Sequence, residues 1–188
     1  MVIPLLRAEC WSELDTEAKR AHLLAAAGEV FARDGIEAPM PAIAAAAGAG
    51  VGSVYRQFPA KRDLLAALVI ERHEVVEAEV EAALASPLGP WAALQDLLWA
   101  IAERQTADDV LAEAMACLSE DPGVQAALAR TMHSLEALLE AAKAEGKLRP
   151  DATAIDLRLL FAATRAARGL EANAWRRMLE LGIDALRA

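Results

Sequence analysis

The chain has 188 residues, of which 56 % are hydrophobic, 4 % are aromatic and 25 % are charged, and its formal net charge is −9. This length suits one large domain or two small ones. No apolar run reaches the ~20 residues that a bilayer-spanning helix needs, and the apolar start of the chain is too short for a secretory signal, so we expect a cytoplasmic protein. Cys10 and Cys117 form no CxxC motif, and two reduced thiols are the expected state.

Alanine, the strongest helix former, supplies much of the hydrophobic content, and no run of alternating β-branched residues occurs. The composition therefore predicts an all-α fold. The first strong helix begins near Thr16, which is a plausible N-cap, and Gly35 is placed to end it. Its apolar stripe follows the helical i, i+3, i+4 spacing and consists of Leu23, Ala26, Ala27, Val30 and Phe31.

Two short helices follow in quick succession. The first covers about 41–47 and opens with a proline, a residue that suits the start of a helix. The segment 48–50 contains two glycines and predicts a tight turn, because glycine adopts positive φ at little cost. The next helix covers about 51–58, and Pro59 ends it.

Six further helices are predicted in the rest of the chain, with a clear break at the SPLGP segment. They cover about 61–85, 91–106, 108–119, 123–145, 154–168 and 174–187. The prediction is thus about nine helices in a three-plus-six grouping. It divides the chain into an N-terminal arm (1–15), a first helical domain (16–70) and a second helical domain (71–188).

The two short helices around the glycine turn have the layout of a helix-turn-helix, in which the second helix enters the DNA major groove. About 50 residues of this region also resemble the TetR family of bacterial regulators, in order and with few gaps. The matching positions are Leu23-Leu24, Ala26-Ala27, Val30-Phe31, Gly35, Ile43-Ala44, Ala47-Gly48, Gly52-Ser53-Val54-Tyr55, Phe58, and Lys61 to Leu64. The resemblance implies that residues 16–70 are a three-helix, helix-turn-helix DNA-binding domain and that residues 71–188 are a helical ligand-binding and dimerisation domain.

The acidic net charge argues at first against a nucleic-acid partner, but the charge is unevenly distributed. Residues 1–70 carry 7 Lys or Arg and 8 Asp or Glu, whereas residues 71–188 carry 12 and 20. No acidic residue lies between Glu37 and Asp63, and this window contains the predicted recognition helix. DNA responds to the local potential within a Debye length of ~8–10 Å, so the window matters more than the total charge.

The side chains around the recognition helix suit DNA contacts. Arg56 suits guanine and Gln57 suits adenine in the major groove, although Arg56 could also be only a solvated cation. Lys61 opens the following helix, where its charge and the free N–H groups favour a phosphate. The resemblance implies that the Tyr55 ring packs inward and its hydroxyl reaches a phosphate; a purely structural aromatic is the alternative. The predicted DNA-binding set is Gly50, Val51, Gly52, Ser53, Tyr55, Arg56, Gln57 and Lys61.

Some positions depart from the family pattern. Gly50 stands where Ser or Thr usually precedes the recognition helix, and Ala60 stands where a hydroxyl cap is common. The loss of such a cap costs ~1 kcal/mol. We therefore expect operator binding that is weak compared with that of a more basic relative and that is sensitive to salt.

The second half of the chain shows no catalytic or metal-binding motif, and His22, His73 and His133 lie on three different predicted helices. We therefore predict no enzyme activity, no cofactor and no metal site. Large apolar residues stand out among the alanines. Core packing is the simplest role for each, but the resemblance implies that some line a mostly apolar effector pocket. The predicted pocket residues are Trp99, Met115, Met132, Leu135 and Phe161.

The last two predicted helices resemble the dimerisation pair of the family. Their apolar stripes could be buried within the chain or against a second copy. The predicted interface residues are Leu157, Phe161, Thr164, Trp175, Leu179 and Ile183. A two-fold dimer is also expected on functional grounds, because one recognition helix reads too few base pairs.

Together these observations imply a homodimeric, ligand-responsive repressor that binds double-stranded DNA at a palindromic operator and is released by a small apolar effector. Two other classes remain open. The chain could be a helical small-molecule carrier or an enzyme in which the helix-turn-helix is only structural, or a module that uses its exposed helices to bind a protein partner.

Overall fold

The computed structural model describes Trp11 and residues 14–107 and 109–188. Within these residues the chain forms nine α-helices and, apart from an antiparallel bridge between Leu148 and Arg187, no strand pairing. None of the described helices combines the length and the apolarity needed to cross a membrane. The helices are α1 (Thr16–Asp34), α2 (Met40–Ala46), α3 (Val51–Gln57), α4 (Lys61–Leu84), α5 (Pro90–Ala107), α6 (Asp109–Cys117), α7 (Pro122–Ala144), α8 (Ala154–Ala167) and α9 (Ala174–Ala185).

The chain divides into two compact units, the first ending at Val69 and the second beginning at Ile70. In the first unit α1 packs against α2 and α2 packs against α3. The core of this unit follows the predicted apolar stripe and is extended by the two short helices and the start of α4. Its most deeply buried large side chains are Leu23, Phe31, Ile43, Phe58 and Leu64.

Capping explains where α1 begins and ends. The predicted N-cap was Thr16, which is wrong by one residue: the carboxylate of Asp15 accepts a hydrogen bond from the backbone N–H of Ala18 at 2.8 Å. Gly35 ends the helix as predicted. Its backbone has a φ of 81°, and its N–H donates to the carbonyl of Phe31 at 2.8 Å.

The helix-turn-helix is built from two helices of seven residues each. Gly48 adopts a φ of 60° in the turn between them, a conformation that side chains with a Cβ rarely adopt. Gly50 is the N-cap of α3 and provides no side-chain hydrogen bond, so the start of α3 lacks the hydroxyl cap of the family pattern.

In the second unit α5, α7, α8 and α9 surround one hydrophobic core. The N-terminus of α7 is capped by Asp121, whose carboxylate accepts hydrogen bonds from two backbone N–H groups. Thr153 caps α8, and its backbone N–H donates to the Asp156 carboxylate at 2.7 Å. Gly182 allows α8 and α9 to approach closely, because a Cβ added there would lie 2.1 Å from Cδ1 of Leu160.

Candidate nucleic-acid interface

Helix α3 presents most of its residues to solvent. Val54 is fully buried, and so is Phe58, which directly follows the helix. Gly52 and Arg56 are exposed, and Ser53 and Gln57 are half-buried. The first unit therefore contacts α3 through the buried side chains of Val54 and Phe58. The polar side of α3 stays exposed, as is required of a helix that enters a DNA groove.

Tyr55 does not pack inward as the resemblance implied. Its side chain is 46 % exposed, and Val51, one turn earlier, is 40 % exposed. Val54 and Phe58, four residues apart, already occupy the buried stripe of α3, so the position next to Val54 points away from the core. Tyr55 therefore belongs to the outward face of α3, where its partly exposed side chain is available for contact.

Arg56 on this face and Lys61 at the start of α4 are both paired within the chain. Nη2 of Arg56 donates to Oγ of Ser53 at 2.9 Å, which leaves the remaining guanidinium N–H groups for other acceptors. Nζ of Lys61 lies 3.1 Å from a carboxylate oxygen of Glu37. Glu37 is the last acid before the basic window and is 89 % exposed at its side chain. The sequence interpretation did not foresee this ion pair.

The N-terminus of α4 is also occupied by the chain itself. The backbone N–H of Ala60 donates to the carboxylate of Asp63 at 2.9 Å. A carboxylate at this position interacts favourably with the positive end of the helix dipole, as a DNA phosphate would. The predicted phosphate site at Lys61 is thus surrounded by two acidic side chains, Glu37 and Asp63.

Helix α1 provides two further contacts to the helix-turn-helix. The guanidinium carbon of Arg20 lies 4.3 Å from the centre of the Phe58 ring, and its Nη1 donates to the Gln57 carbonyl at 3.4 Å. Nε2 of His22 lies 3.0 Å from the Ala47 carbonyl oxygen. Neither residue was predicted to take part in the site, because contacts over 25 and 37 residues leave no local signal in the sequence.

The predicted pocket residues lie mostly in the core of the second unit. Leu135 is buried there, and Trp99, Met132 and Phe161 pack against the same cluster while partly exposed; Met115 is half-buried on α6. An open cleft of about 230 Å³ contains only Trp99 of these five. Its lining is Gln95, Trp99, Arg177, Glu180, Ile183, Asp184 and Arg187. The pocket assignment therefore stays a prediction.

Four of the predicted dimer residues are buried inside the chain itself. They are Leu157, Thr164, Leu179 and Ile183. The three apolar residues belong to the hydrophobic core, and the Thr164 hydroxyl donates to the Leu160 carbonyl of its own helix. Because these four side chains are buried within a single copy of the chain, they cannot form the contact surface for a second copy. The large apolar side chains of α8 and α9 that remain exposed are Ile155, Leu159 and Leu181.

A buried polar cluster joins α4 to α7 within the second unit. Nδ1 of His73 lies 3.0 Å from the Thr131 hydroxyl, which also lies 3.3 Å from a carboxylate oxygen of Glu77. Burial is the main cause that lowers the pKa of His73 below its ordinary value of 6.5; Arg130 acts in the same direction and Glu77 opposes it. Among the residues that the structure describes, no group of His, Cys, Asp or Glu could hold a metal ion.

An all-α fold with an exposed helix-turn-helix is typical of a DNA-binding transcriptional regulator. Residues 23–68 match the family model described as bacterial regulatory proteins, tetR family. Residues 89–188 match the model of the SbtR-like transcriptional regulator C-terminal domain. The chain therefore belongs to the TetR family of transcriptional regulators, and its architecture is the one that the resemblance implied.

Solved structures of other TetR regulators are similar over nearly the whole chain. A TetR regulatory protein from Mycobacterium vanbaalenii is 29 % identical, with 90 % of this chain and 95 % of that one covered and a TM-score of 0.67. The regulator SCO0520 from Streptomyces coelicolor is 28 % identical, with 89 % and 98 % covered and a TM-score of 0.68. A structure described as the molecular basis for control of antibiotic production by bacterial hormones is 29 % identical, with 93 % and 100 % covered and a TM-score of 0.69. No curated protein sequence matches.

Proposed function

We propose that this protein is a ligand-controlled transcriptional repressor that binds a palindromic operator as a homodimer. The observation that carries the proposal is the exposure of the polar side of α3 in a helix-turn-helix that matches the TetR family model. Residues 16–70 form the DNA-binding domain in this proposal, and residues 71–188 bind the effector and the second copy. The arm, residues 1–15, lies almost wholly outside the described residues.

The proposed DNA contacts follow from the exposed face of α3. Arg56 and Gln57 read base edges, while Ser53, the Tyr55 hydroxyl and Lys61 bind phosphates. Gly50, Val51 and Gly52 lie at the start of α3, where small or compact residues let the backbone approach the duplex. Since few cations are available, we expect a shallow but clear dependence of affinity on salt concentration.

The proposed dimer surface is the exposed apolar face of α8 and α9, a revision of the predicted set. Ile155 and Leu159 are one helical turn apart on α8, and Leu181 is exposed on α9. Phe161 and Trp175 are only partly buried and could extend this face. A two-fold dimer would place two copies of α3 in major grooves about 34–36 Å apart on one side of the duplex.

The proposed effector is a small, mostly apolar molecule that binds in the second unit. Trp99, Met115, Met132, Leu135 and Phe161 remain the candidate lining residues, and no cofactor is proposed. The similarity to a regulator whose structure is described in terms of bacterial hormones supports ligand control. Coupling requires that the effector bind the DNA-free state more tightly, commonly by ~1–3 kcal/mol. The site of action would be the cytoplasm, where bacterial operators lie.

Selection of bound sequences from random duplex DNA tests the proposal directly. The expected result is an enriched sequence with two-fold symmetry. Arg56→Ala and Lys61→Ala should each weaken binding to it, whereas Arg33→Ala, which removes an exposed α1 cation paired with Asp34, should not. Enrichment of no sequence, or equal binding by all variants, would favour a carrier or an enzyme in which the helix-turn-helix is structural.

A further inference from the structure

The recognition helix α3 is held in place by few contacts of its own. It has seven residues, only Val54 among them is fully buried, and its N-cap provides no side-chain hydrogen bond. Isolated helices of this length are unstable in water, so the direction of α3 depends on the residues that contact its ends.

Arg20 of α1 holds the C-terminal end of α3. Gln57 is the last residue of α3, and its carbonyl is one of the terminal groups that lack a partner within the helix. Nη1 of Arg20 donates to this carbonyl at 3.4 Å while the guanidinium lies 4.3 Å from the centre of the Phe58 ring. A cation at the C-terminal end of a helix is also favoured by the helix dipole.

His22, two residues further along α1, holds the corresponding end of α2. Ala47 is the C-cap of α2, and its carbonyl oxygen lies 3.0 Å from Nε2 of His22. A carbonyl oxygen only accepts hydrogen bonds, so this nitrogen carries the proton. The His22 ring is itself flanked by the Trp11 ring, with the two ring centres 6.2 Å apart.

We infer that Arg20 and His22 act together as positioning residues for DNA recognition. Two side chains of one helix hold the carbonyl ends of both helices of the helix-turn-helix, and they thereby set the direction in which α3 presents Arg56 and Gln57. This inference rests on the proposed function. It assigns Arg20 a task different from phosphate binding, the role that an exposed cation near α3 would otherwise suggest.

Arg20→Lys separates positioning from phosphate binding. Lysine keeps the positive charge but lacks the planar guanidinium that stacks on the Phe58 ring while it donates to the Gln57 carbonyl. His22→Phe keeps a ring beside Trp11 and removes the donor, and His22→Gln restores an N–H donor. Arg33→Lys is the control on the same helix. Affinity for the selected operator and for an unrelated duplex of equal length is measured by fluorescence anisotropy, at a temperature where circular dichroism shows every variant folded.

Positioning predicts that Arg20→Lys and His22→Phe each lower the ratio of operator affinity to non-specific affinity by about 5- to 10-fold, as expected for the loss of one such contact. Non-specific affinity should stay within about twofold, because the charges that attract phosphates are unchanged. His22→Gln should recover part of the ratio, and Arg33→Lys should leave it unchanged. A wild-type ratio in Arg20→Lys would overturn the inference. An equal loss on both duplexes in Arg20→Ala, with Arg20→Lys normal, would show phosphate binding instead.

Hydrogen exchange in the free protein tests the inference without DNA. The backbone amides of residues 54–58 should exchange several times faster in Arg20→Lys than in wild type, and those of Arg33→Lys should not change, because the carbonyl contact restrains the last turn of α3. Unchanged exchange in Arg20→Lys would contradict the inference even if operator binding failed for other reasons. Absence of any operator for the wild-type protein would instead contradict the proposed function.

Discussion

At the residue scale, side chains of the proposed DNA interface are already engaged with their own chain. Arg56 donates to Ser53, and Lys61 pairs with Glu37, whose side chain is almost wholly in solvent. An exposed ion pair contributes ~0–1 kcal/mol, so a phosphate can displace Glu37 at modest cost. Glu37 is therefore expected to compete with DNA for Lys61.

Glu37→Gln should raise the affinity for duplex DNA about 2- to 5-fold at low salt, because it removes the competing carboxylate and one negative charge near the duplex. Fluorescence anisotropy titrations at two salt concentrations would measure the effect. Glu29→Gln, which neutralises an exposed acid on α1, is the control for the charge alone. In a chain that already carries Lys61→Met, Glu37→Gln should raise the affinity for DNA much less. An equal increase in affinity with and without Lys61→Met would contradict direct competition between Glu37 and DNA.

The buried side chain of His73 leads to a second prediction, which concerns the pH dependence of the free energy of unfolding. Its pKa is lowered in the folded chain, chiefly by burial, so the unfolded chain binds a proton at a higher pH than the folded chain does. Neutral His73 contributes fully to the free energy of unfolding above its ordinary pKa of 6.5. This contribution is lost as the pH falls through 6.5 towards the lower pKa of the folded chain.

The free energy of unfolding should therefore fall more steeply between pH 7.5 and 5.5 in wild type than in His73→Gln, which keeps a hydrogen-bonding group near Thr131. Urea unfolding at several pH values would give the two slopes. Identical slopes for His73→Gln and wild type would mean that His73 titrates alike in both states.

At the element scale, α8 and α9 pack against each other through a glycine. A Cβ at Gly182 would lie 2.1 Å from Cδ1 and 3.1 Å from Cγ of Leu160, and Leu160 is itself buried. Gly28, on α1, has no neighbouring atom within 4 Å of an added Cβ. The same substitution at the two sites should thus have opposite effects.

Gly182→Ala should lower the free energy of unfolding by about 1 kcal/mol, since overpacking of ~1–3 kcal/mol exceeds the helix-propensity gain of ~1 kcal/mol. Gly28→Ala should raise the free energy of unfolding by about 0.5–1 kcal/mol, because only the propensity term applies. Chemical denaturation would measure the free energy of unfolding of both variants and of the wild-type protein. A stabilised Gly182→Ala variant would show that α8 and α9 are not in close contact in solution.

At the scale of the whole molecule, the proposed assembly depends on exposed apolar side chains of α8. Leu159 is 63 % exposed, and so is Leu88, which lies in the segment between α4 and α5. The two leucines are equally accessible but only Leu159 belongs to the proposed dimer face. They therefore form a matched pair.

Leu159→Glu should convert a dimer of about twice 20.0 kDa into a monomer, because it places a charge in an apolar contact. Leu88→Glu should leave the mass unchanged. Light scattering after size-exclusion chromatography would measure both variants over a range of concentrations. Dissociation by Leu88→Glu with Leu159→Glu still dimeric would place the interface elsewhere.

The sequence predicted the helices well because their signals are local. Gly35, the glycine turn and Pro59 end elements by backbone geometry alone, and apolar spacing identifies the faces that are buried. Contacts between distant segments left no comparable signal, so the partners of Arg20, His22 and Lys61 appeared only in the structure. Apolar spacing also shows that Leu157 and Leu179 are buried, but not whether their own chain or a second copy covers them.

The sparse anchoring of α3 has a consequence for how such a regulator changes its target. Val54 alone among its seven residues is fully enclosed, so the other six tolerate exchange with little cost to the fold. A gene duplicate could therefore acquire a new set of promoters by changing residues 56 and 57 while the rest of the chain stays intact. The same freedom makes these positions a practical starting point for laboratory retargeting.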